Sequence, residues 1–340
     1  MRNMIHRKQQ TLQMPSWQNQ LSEAIKSPEA LINALELPKS LLTEITKAHQ
    51  LFPIRVPLSF INKMEKGNIN DPLLKQVIPL SAELVKNAEY TFDPVGDVAA
   101  EKTPGLLHKY HGRVLLTVTG ACGIHCRYCF RRHFDYSASN PGKQNWQNSL
   151  DYIRKDPSIY EVILSGGDPL TLSDQKLSAL INQIAEIPHI RFLRIHTRQI
   201  IVLPERVNSE LLQWINNTRL KCIFVIHTNH PAEIGEDTKV ALQKLKSANV
   251  ELLNQSVLLR DVNDSTDTLE QLSLSLIESG VHPYYLHLLD KVAGAAHFDT
   301  PEKKAAELLN TLQTRLPGYL VPKLVREISG APFKTPFKTP

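Results

Sequence analysis

Between residue 113 and about residue 315 a short apolar run is followed, six times over, by a stretch of helical spacing. No other feature of the chain limits its fold so strongly. The apolar runs are RVLLTVTG, YEVILSGGD, IRFLRIHTR, KCIFVIHT, ELLNQSVLL and HPYYLHLLD. The helical stretches are NWQNSLDYIRKD, SDQKLSALINQIAEI, NSELLQWINNT, EDTKVALQKLKSAN, DSTDTLEQLSLSLIESG and TPEKKAAELLNTLQTRL. Strand–helix units in strict alternation predict an α/β fold with a parallel sheet and the helices outside it. Six such units can curl into an open, partial (β/α)6 barrel related to the closed eight-unit one. Ser173 and Thr300 stand where N-caps belong, and Gly280 follows a helix as its stop. Cys222, inside KCIFVIHT, reads as a buried strand residue.

Folds of this kind gather their chemistry at the C-terminal ends of the strands. The first strand runs into CGIHCRYCF, which carries Cys122, Cys126 and Cys129. Three thiolates so closely spaced can hold one face of an iron–sulfur cube and leave the fourth iron without a protein ligand. The competing assignment is a structural zinc site with His125 or His133 as fourth ligand. Zinc more often uses C-x2-C pairs and needs a closed tetrahedron. The second strand ends in Ser165-Gly166-Gly167-Asp168, and Arg198, His227, Gln255 and Asp290 lie in or at the ends of the remaining four. Two adjacent glycines suit backbone that must approach a ligand closely, or a turn that needs positive φ. The run RYCFRRHF is basic and aromatic, so a zinc-stabilised RNA-binding protein stands as the alternative from another functional class.

Residues 1–95 read as short helices separated by prolines, with Ser16 and Ser27 as N-caps and no catalytic constellation. They are expected to pack against the domain that follows, residues 96–320, while residues 321–340 form a tail. No apolar stretch reaches the roughly eighteen residues that would predict a membrane span. The basic start MRNMIHRKQQ leads into no apolar segment, so no secretory signal is expected. Three of the four cysteines are clustered, which argues against a disulfide framework and for a reducing, cytoplasmic setting. A net charge of +5 without a dense basic stripe gives no expectation of direct nucleic-acid binding.

Tyr128, just before the third cysteine, completes the pattern CxxxCx-aromatic-C. This resembles the signature of the radical S-adenosylmethionine (SAM) enzymes, which are built on a partial barrel. The segments YHGRVLLTVTGACGIHCRYCFRRHF, EVILSGGDPL, RIHTR, VIHTNHP, NQSVLLRDVND and YYLHLLDKVAGAAHFDTP resemble the lysine 2,3-aminomutase family in matching order, over essentially residues 100 to 336. The short tail and the region around Trp17 resemble a subgroup that makes (R)-β-lysine for attachment to elongation factor P.

The resemblance implies an isomerase that converts L-lysine to (R)-β-lysine by a radical 1,2-amino shift. It implies a 4Fe-4S cluster on the three cysteines, S-adenosyl-L-methionine, and pyridoxal 5'-phosphate. The implied partners are an electron donor such as a flavodoxin or ferredoxin and a lysyl ligase acting on elongation factor P. Tyr128, Ser165, Gly166, Gly167, Asp168, His227 and Gln255 correspond to S-adenosylmethionine contacts. Lys334, in SGAPFKTPFKTP, corresponds to the pyridoxal phosphate lysine, a role that needs a primary amine able to condense and then exchange. The tandem FKTP leaves Lys338 as the alternative. Arg113 corresponds to a residue near the cofactor phosphate or the substrate carboxylate. Arg131 corresponds to the arginine that fixes the substrate carboxylate, a task suited to a bidentate fork. Asp290 and Glu327 correspond to the acids that hold the lysine ε-ammonium, and Glu327 stands where family members acting on free lysine usually carry an Asp. The N-terminal helices and the tail would then close the barrel mouth against water. A radical enzyme of the same superfamily without pyridoxal phosphate, acting on a peptide or nucleotide, is the other reading.

Overall fold

The computed structural model describes residues 16–137, 139 and 146–337. Ten strands lie in one sheet in strict sequence order. They are β1 (Glu101–Thr103), β2 (Leu106–Tyr110), β3 (Arg113–Thr119), β4 (Glu161–Gly166), β5 (Phe192–Thr197), β6 (Lys221–Ile226), β7 (Glu251–Val257), β8 (His282–His287), β9 (Lys323–Arg326) and β10 (Thr335–Pro336). From β3 to β9 all neighbours are parallel. The short strands β1, β2 and β10 add antiparallel margins, and the sheet does not close. The six expected strand–helix units are present. The last helix, Glu302–Arg315, leads into a further parallel strand, β9.

Period-two alternation sorts each strand into two faces. Val114, Leu116, Leu164, Ile195 and Phe224 are fully buried against the outer helices in the largest apolar cluster. Cys222 belongs to that cluster too, as a buried strand residue. The opposite, inner face takes Arg113, Thr117, Ser165, His196, Gln255, Tyr285 and His287 by the same alternation. Two hydroxyls, an amide, a guanidinium and three imidazoles or phenols on the inside of a barrel mark a lumen made for polar contents.

Ser16, Ser27 and Ser173 cap their helices as expected. Gly280 ends its helix at φ +78°. Thr300 does not cap: Pro301 takes the N-cap position, and the Thr300 hydroxyl is buried without a partner. The proline already fixes the backbone entry, so no side-chain cap is needed there.

The helices from Trp17 onward build a second apolar cluster, and it reaches into the cysteine loop through Ile124 and into the end of β5 through Val202 and Leu203. Backbone joins the two as well. His125 donates its peptide N–H to Arg55 O, and Arg127 donates to Gln76 O, each at 2.9 Å. Buried Glu83 accepts from Arg127 Nε and Nη2 at 2.8 and 2.6 Å and from Arg132 Nη2 at 2.7 Å. These helices therefore cradle the cysteine loop from below, whatever else they cover. Glu83→Ala would leave two buried guanidinium groups facing one another. The expected result is a loss of about 3–5 kcal/mol, read as a lower midpoint in urea-induced unfolding.

Candidate functional site

The cysteine loop leaves β3 at Thr119 and crosses the end of β4. The crossing is so tight that a Cβ at Gly167 would lie 2.3 Å from Ala121 O, and one at Gly166 would lie 2.4 Å from Thr119 O. Gly166 also holds φ +120°, which a side chain would disfavour. Gly167 and Asp168 donate their N–H groups to Thr119 O and Ala121 O, both at 2.7 Å. The glycine pair is thus required by the approach of two backbones. The Gly166 carbonyl accepts from the Tyr136 hydroxyl at 2.8 Å.

Burial raises the Cys122 thiol well above its usual range, and the neighbouring Cys129, Asp168 and Cys126 add to the effect. Burial and then Cys126 push Cys129 up to about 11. The three thiols sense one another and would lose their protons to a bound metal. Each histidine of the zinc alternative has one ring nitrogen engaged elsewhere. His125 Nδ1 lies 2.8 Å from Pro53 O with its ring stacked on Phe52, and His133 Nε2 lies 3.0 Å from Ala293 O. Among the described residues no three His, Cys, Asp or Glu side chains converge on a single-ion site.

Asp168 differs from its expected role as a cofactor contact. Its carboxylate accepts from Leu170 N, Thr197 Oγ1, Arg198 N and Gln199 N, at 2.8–3.0 Å. With both oxygens filled by its own chain, it braces the end of β4 to the end of β5 and offers no acceptor to a ligand.

Inside the barrel a line of alternating charge runs from the cysteine loop to the tail. Arg131 Nη1 donates to Ser165 Oγ at 3.1 Å, and its Nε to Asp97 at 2.7 Å. Its guanidinium lies over the rings of Phe130 and Phe134. Lys109 Nζ bridges Asp97 at 2.6 Å and Glu327 at 3.0 Å. Glu327 then accepts from Lys334 Nζ at 3.0 Å. Lys334 also stands 3.4 Å from His287 Nε2 and 5.8 Å from the Tyr285 ring centre. The tail lysine is therefore a lumen residue. Lys338, its sequence alternative, lies outside the described residues.

The electrostatics follow from this line. Burial would raise the Glu327 carboxyl, but Lys334 and Lys109 outweigh it and hold the group down at about 2. Asp290 lies beside the line and makes no side-chain hydrogen bond among the described residues. Burial and then the like charge of Glu327 push it up to about 7, against the pull of Lys334 and Lys109. Burial, followed by Lys334, keeps His287 neutral by lowering it well below the usual imidazole range. His227 is lowered to about 3 by burial and then by Arg198 and Lys334. The Nε2 atoms of His196 and His227 and the Thr117 hydroxyl are buried without partners. Gln255 is half-buried on the inner face of β7. Arg113 stacks on Tyr110 at 4.9 Å and forms no ion pair among the described residues. A lumen with orphaned acceptors, an unpaired arginine and a carboxyl poised near neutrality is equipped to bind a polar, charged molecule.

Sequence reasoning missed Asp97, Lys109, His196 and His287. Asp97 and Lys109 precede the alternating pattern and carry no motif, so nothing local distinguishes them. His196 and His287 were readable, since period-two spacing puts them on the inner face of β5 and β8.

A family model described as a 4Fe-4S single cluster domain matches residues 111–196, the stretch holding the cysteine loop and β3 to β5. The chain is 47% identical to a protein of Escherichia coli (strain K12) named L-lysine 2,3-aminomutase, over 96% of each chain. It is 47% identical to a protein of the same name from Haemophilus influenzae, over 94% of this chain and 95% of that one. A longer protein of that name from Clostridium subterminale is 36% identical, over 94% of this chain and 77% of the other. Identity of this extent over nearly the whole chain makes the chain a member of the L-lysine 2,3-aminomutase family.

Proposed function

We propose that this chain moves the α-amino group of L-lysine to the β-carbon, giving (R)-β-lysine. The observation that carries this reading is Lys334, drawn from the tail into a lumen that also holds an ammonium-ready carboxyl. Cys122, Cys126 and Cys129 would hold a 4Fe-4S cluster with one iron open. Ser165, Gly166, Gly167, His227, Gln255 and Tyr128 would hold S-adenosylmethionine, whereas Asp168 is spent as a brace. Lys334 would hold pyridoxal phosphate, with Arg113 facing its phosphate. Together these groups supply an electron, a hydrogen-abstracting species and a carbonyl on which an amine can travel.

The chain's own residues supply placement. Arg131 has Nη2 unused by Asp97 and Ser165, and an arginine edge there would orient the substrate carboxylate. Asp290, once ionised, would take the ε-ammonium at the other end of the substrate. When Lys334 gives its amine to the cofactor, one oxygen of Glu327 loses its partner and would turn to that same ammonium. Glu327 has one methylene more than Asp, which lets it span from Lys109 to Lys334. Holding both ends of lysine fixes its β-carbon within the lumen, where orientation replaces chance encounter. A flavodoxin or ferredoxin as electron donor, a cytoplasmic setting and delivery of the product to a lysyl ligase acting on elongation factor P belong to this reading. They are supported by the resemblance over residues 100 to 336. No helix among the described residues is long and apolar enough to cross a membrane.

Anaerobic incubation of reconstituted protein with L-lysine, S-adenosylmethionine, pyridoxal phosphate and dithionite should yield β-lysine by chromatography; unaltered lysine would refute the reading. Borohydride trapping followed by peptide mass mapping should place the phosphopyridoxyl group on Lys334, and Lys334→Ala should abolish both the label and turnover. Label on Lys338 in the native chain would reassign the residue, and no label at all would favour an enzyme without pyridoxal phosphate. A third expectation concerns pH. Asp290 must lose a proton before it can pair with an ammonium, and its value stands near 7. The KM for lysine should therefore fall as pH rises through that value. Asp290→Asn should remove this dependence and raise KM by roughly 30-fold or more, the ~2 kcal/mol lower end for truncating a buried charge partner.

A further inference from the structure

Arg198 follows β5 and is buried, yet its guanidinium does not serve one salt bridge alone. Nη2 donates to Gln76 Oε1 at 2.8 Å and to Glu233 Oε2 at 3.0 Å. Nη1 faces the other way, donating to Cys126 Sγ at 2.8 Å and to the Tyr128 hydroxyl. The peptide N–H is held by Asp168 at 2.8 Å, and the guanidinium plane lies 5.4 Å from the Phe60 ring centre. Every group that holds the arginine is itself held. Gln76 Nε2 donates to Glu233 Oε1 at 3.0 Å, and the same oxygen receives the N–H groups of Asn229 and His230. Asn229 Nδ2 donates to Gln76 Oε1 at 3.0 Å and to the Tyr128 hydroxyl at 2.7 Å. The Tyr128 hydroxyl thus receives two donors, Arg198 Nη1 and Asn229 Nδ2.

The loop cysteines are therefore not equivalent. Cys126 receives a cationic side-chain donor, whereas Cys122 and Cys129 have no side-chain donor among the described residues. We propose that Arg198 is a positioning residue that acts through Cys126 to set the reduction potential of the cluster. The inference rests on the cluster assigned above and on nothing else in the proposed reaction. One electron added to an iron–sulfur cluster increases the negative charge on its thiolates. Donors and positive charge beside a thiolate stabilise that reduced state, and more so where water is excluded. Glu233 and Gln76 keep the guanidinium from turning away, so the donor edge is already aimed before the electron arrives.

The test is the midpoint potential of the reconstituted protein, followed by the electron paramagnetic signal of the reduced cluster during redox titration, without lysine or pyridoxal phosphate. Arg198→Met should lower the reduced-to-oxidised ratio at fixed solution potential by about tenfold or more, a shift of ~59 mV or more to the negative for one electron. Arg198→Lys, which keeps charge but loses the two-edged fork, should fall between Arg198→Met and the native protein. Arg198→Met and Arg198→Lys proteins that carry about four irons per chain at the native potential would overturn the proposal. Failure of both Arg198 variants to retain iron would overturn it equally, by making the arginine a clasp for the loop. Native protein that takes up no iron would refute the cluster itself, a separate result.

Discussion

Five charged side chains alternate in sign across the barrel: Arg131, Asp97, Lys109, Glu327 and Lys334. Each would cost several kcal/mol to bury alone, so each depends on the neighbour on either side. The line ties the cysteine loop, which carries Arg131, to the tail, which carries Lys334. Its two ends are the two places where chemistry is expected. With three cations against two anions it carries one excess positive charge, which favours an anionic group in the lumen. Asp290 is the reserve that can neutralise that excess, since burial, followed by the like charge of Glu327, lifts its carboxyl to about 7 against the pull of Lys334 and Lys109.

The cysteine loop is fixed from three directions. The N-terminal helices hold it through Gln76, Arg55 and Glu83, the end of β4 through the crossing at Gly166 and Gly167, and the end of β5 through Arg198. This answers a problem posed by the fold. A loop at the end of an edgeward parallel strand is ordinarily the mobile part of a barrel, but three thiolates must meet a rigid cubane within tenths of an ångström. Asp168 serves the same end at one remove, since its oxygens hold the backbone from which Arg198 departs. A residue that looked like a ligand contact from its place after a glycine pair is instead part of the frame.

That reassignment illustrates what a sequence can and cannot disclose. Strands β3 to β8 were legible because each repeats an apolar run of fixed period, and the cysteines because their spacing is local. Strand β9 was not, since KLVR is too short to separate from a loop until β8 is there to pair with it. Asp97 and Lys109 were invisible for a related reason: their partners lie 34 and 218 residues further on. An ion pair leaves no period in a sequence. What remained readable at the site was whatever a single turn or strand end dictates.

The tail shows how a repeated sequence can still give one arrangement. FKTP occurs twice in succession, so a slip of one repeat would bring an identical set of side chains to β10. The two copies do not meet the same surroundings. Thr335 and Pro336 pair with Arg326 and Val325, and Phe337 donates its N–H to Leu324 O at 2.9 Å. Phe337 packs on the apolar cluster of Leu309, Leu312 and Leu324, beside a cavity of about 350 Å³, whereas Phe333 is exposed. In the slipped arrangement Phe337 would take the exposed place that Phe333 now occupies. The apolar contact of Phe337 therefore goes with the arrangement in which Lys334, three residues before it, reaches the lumen.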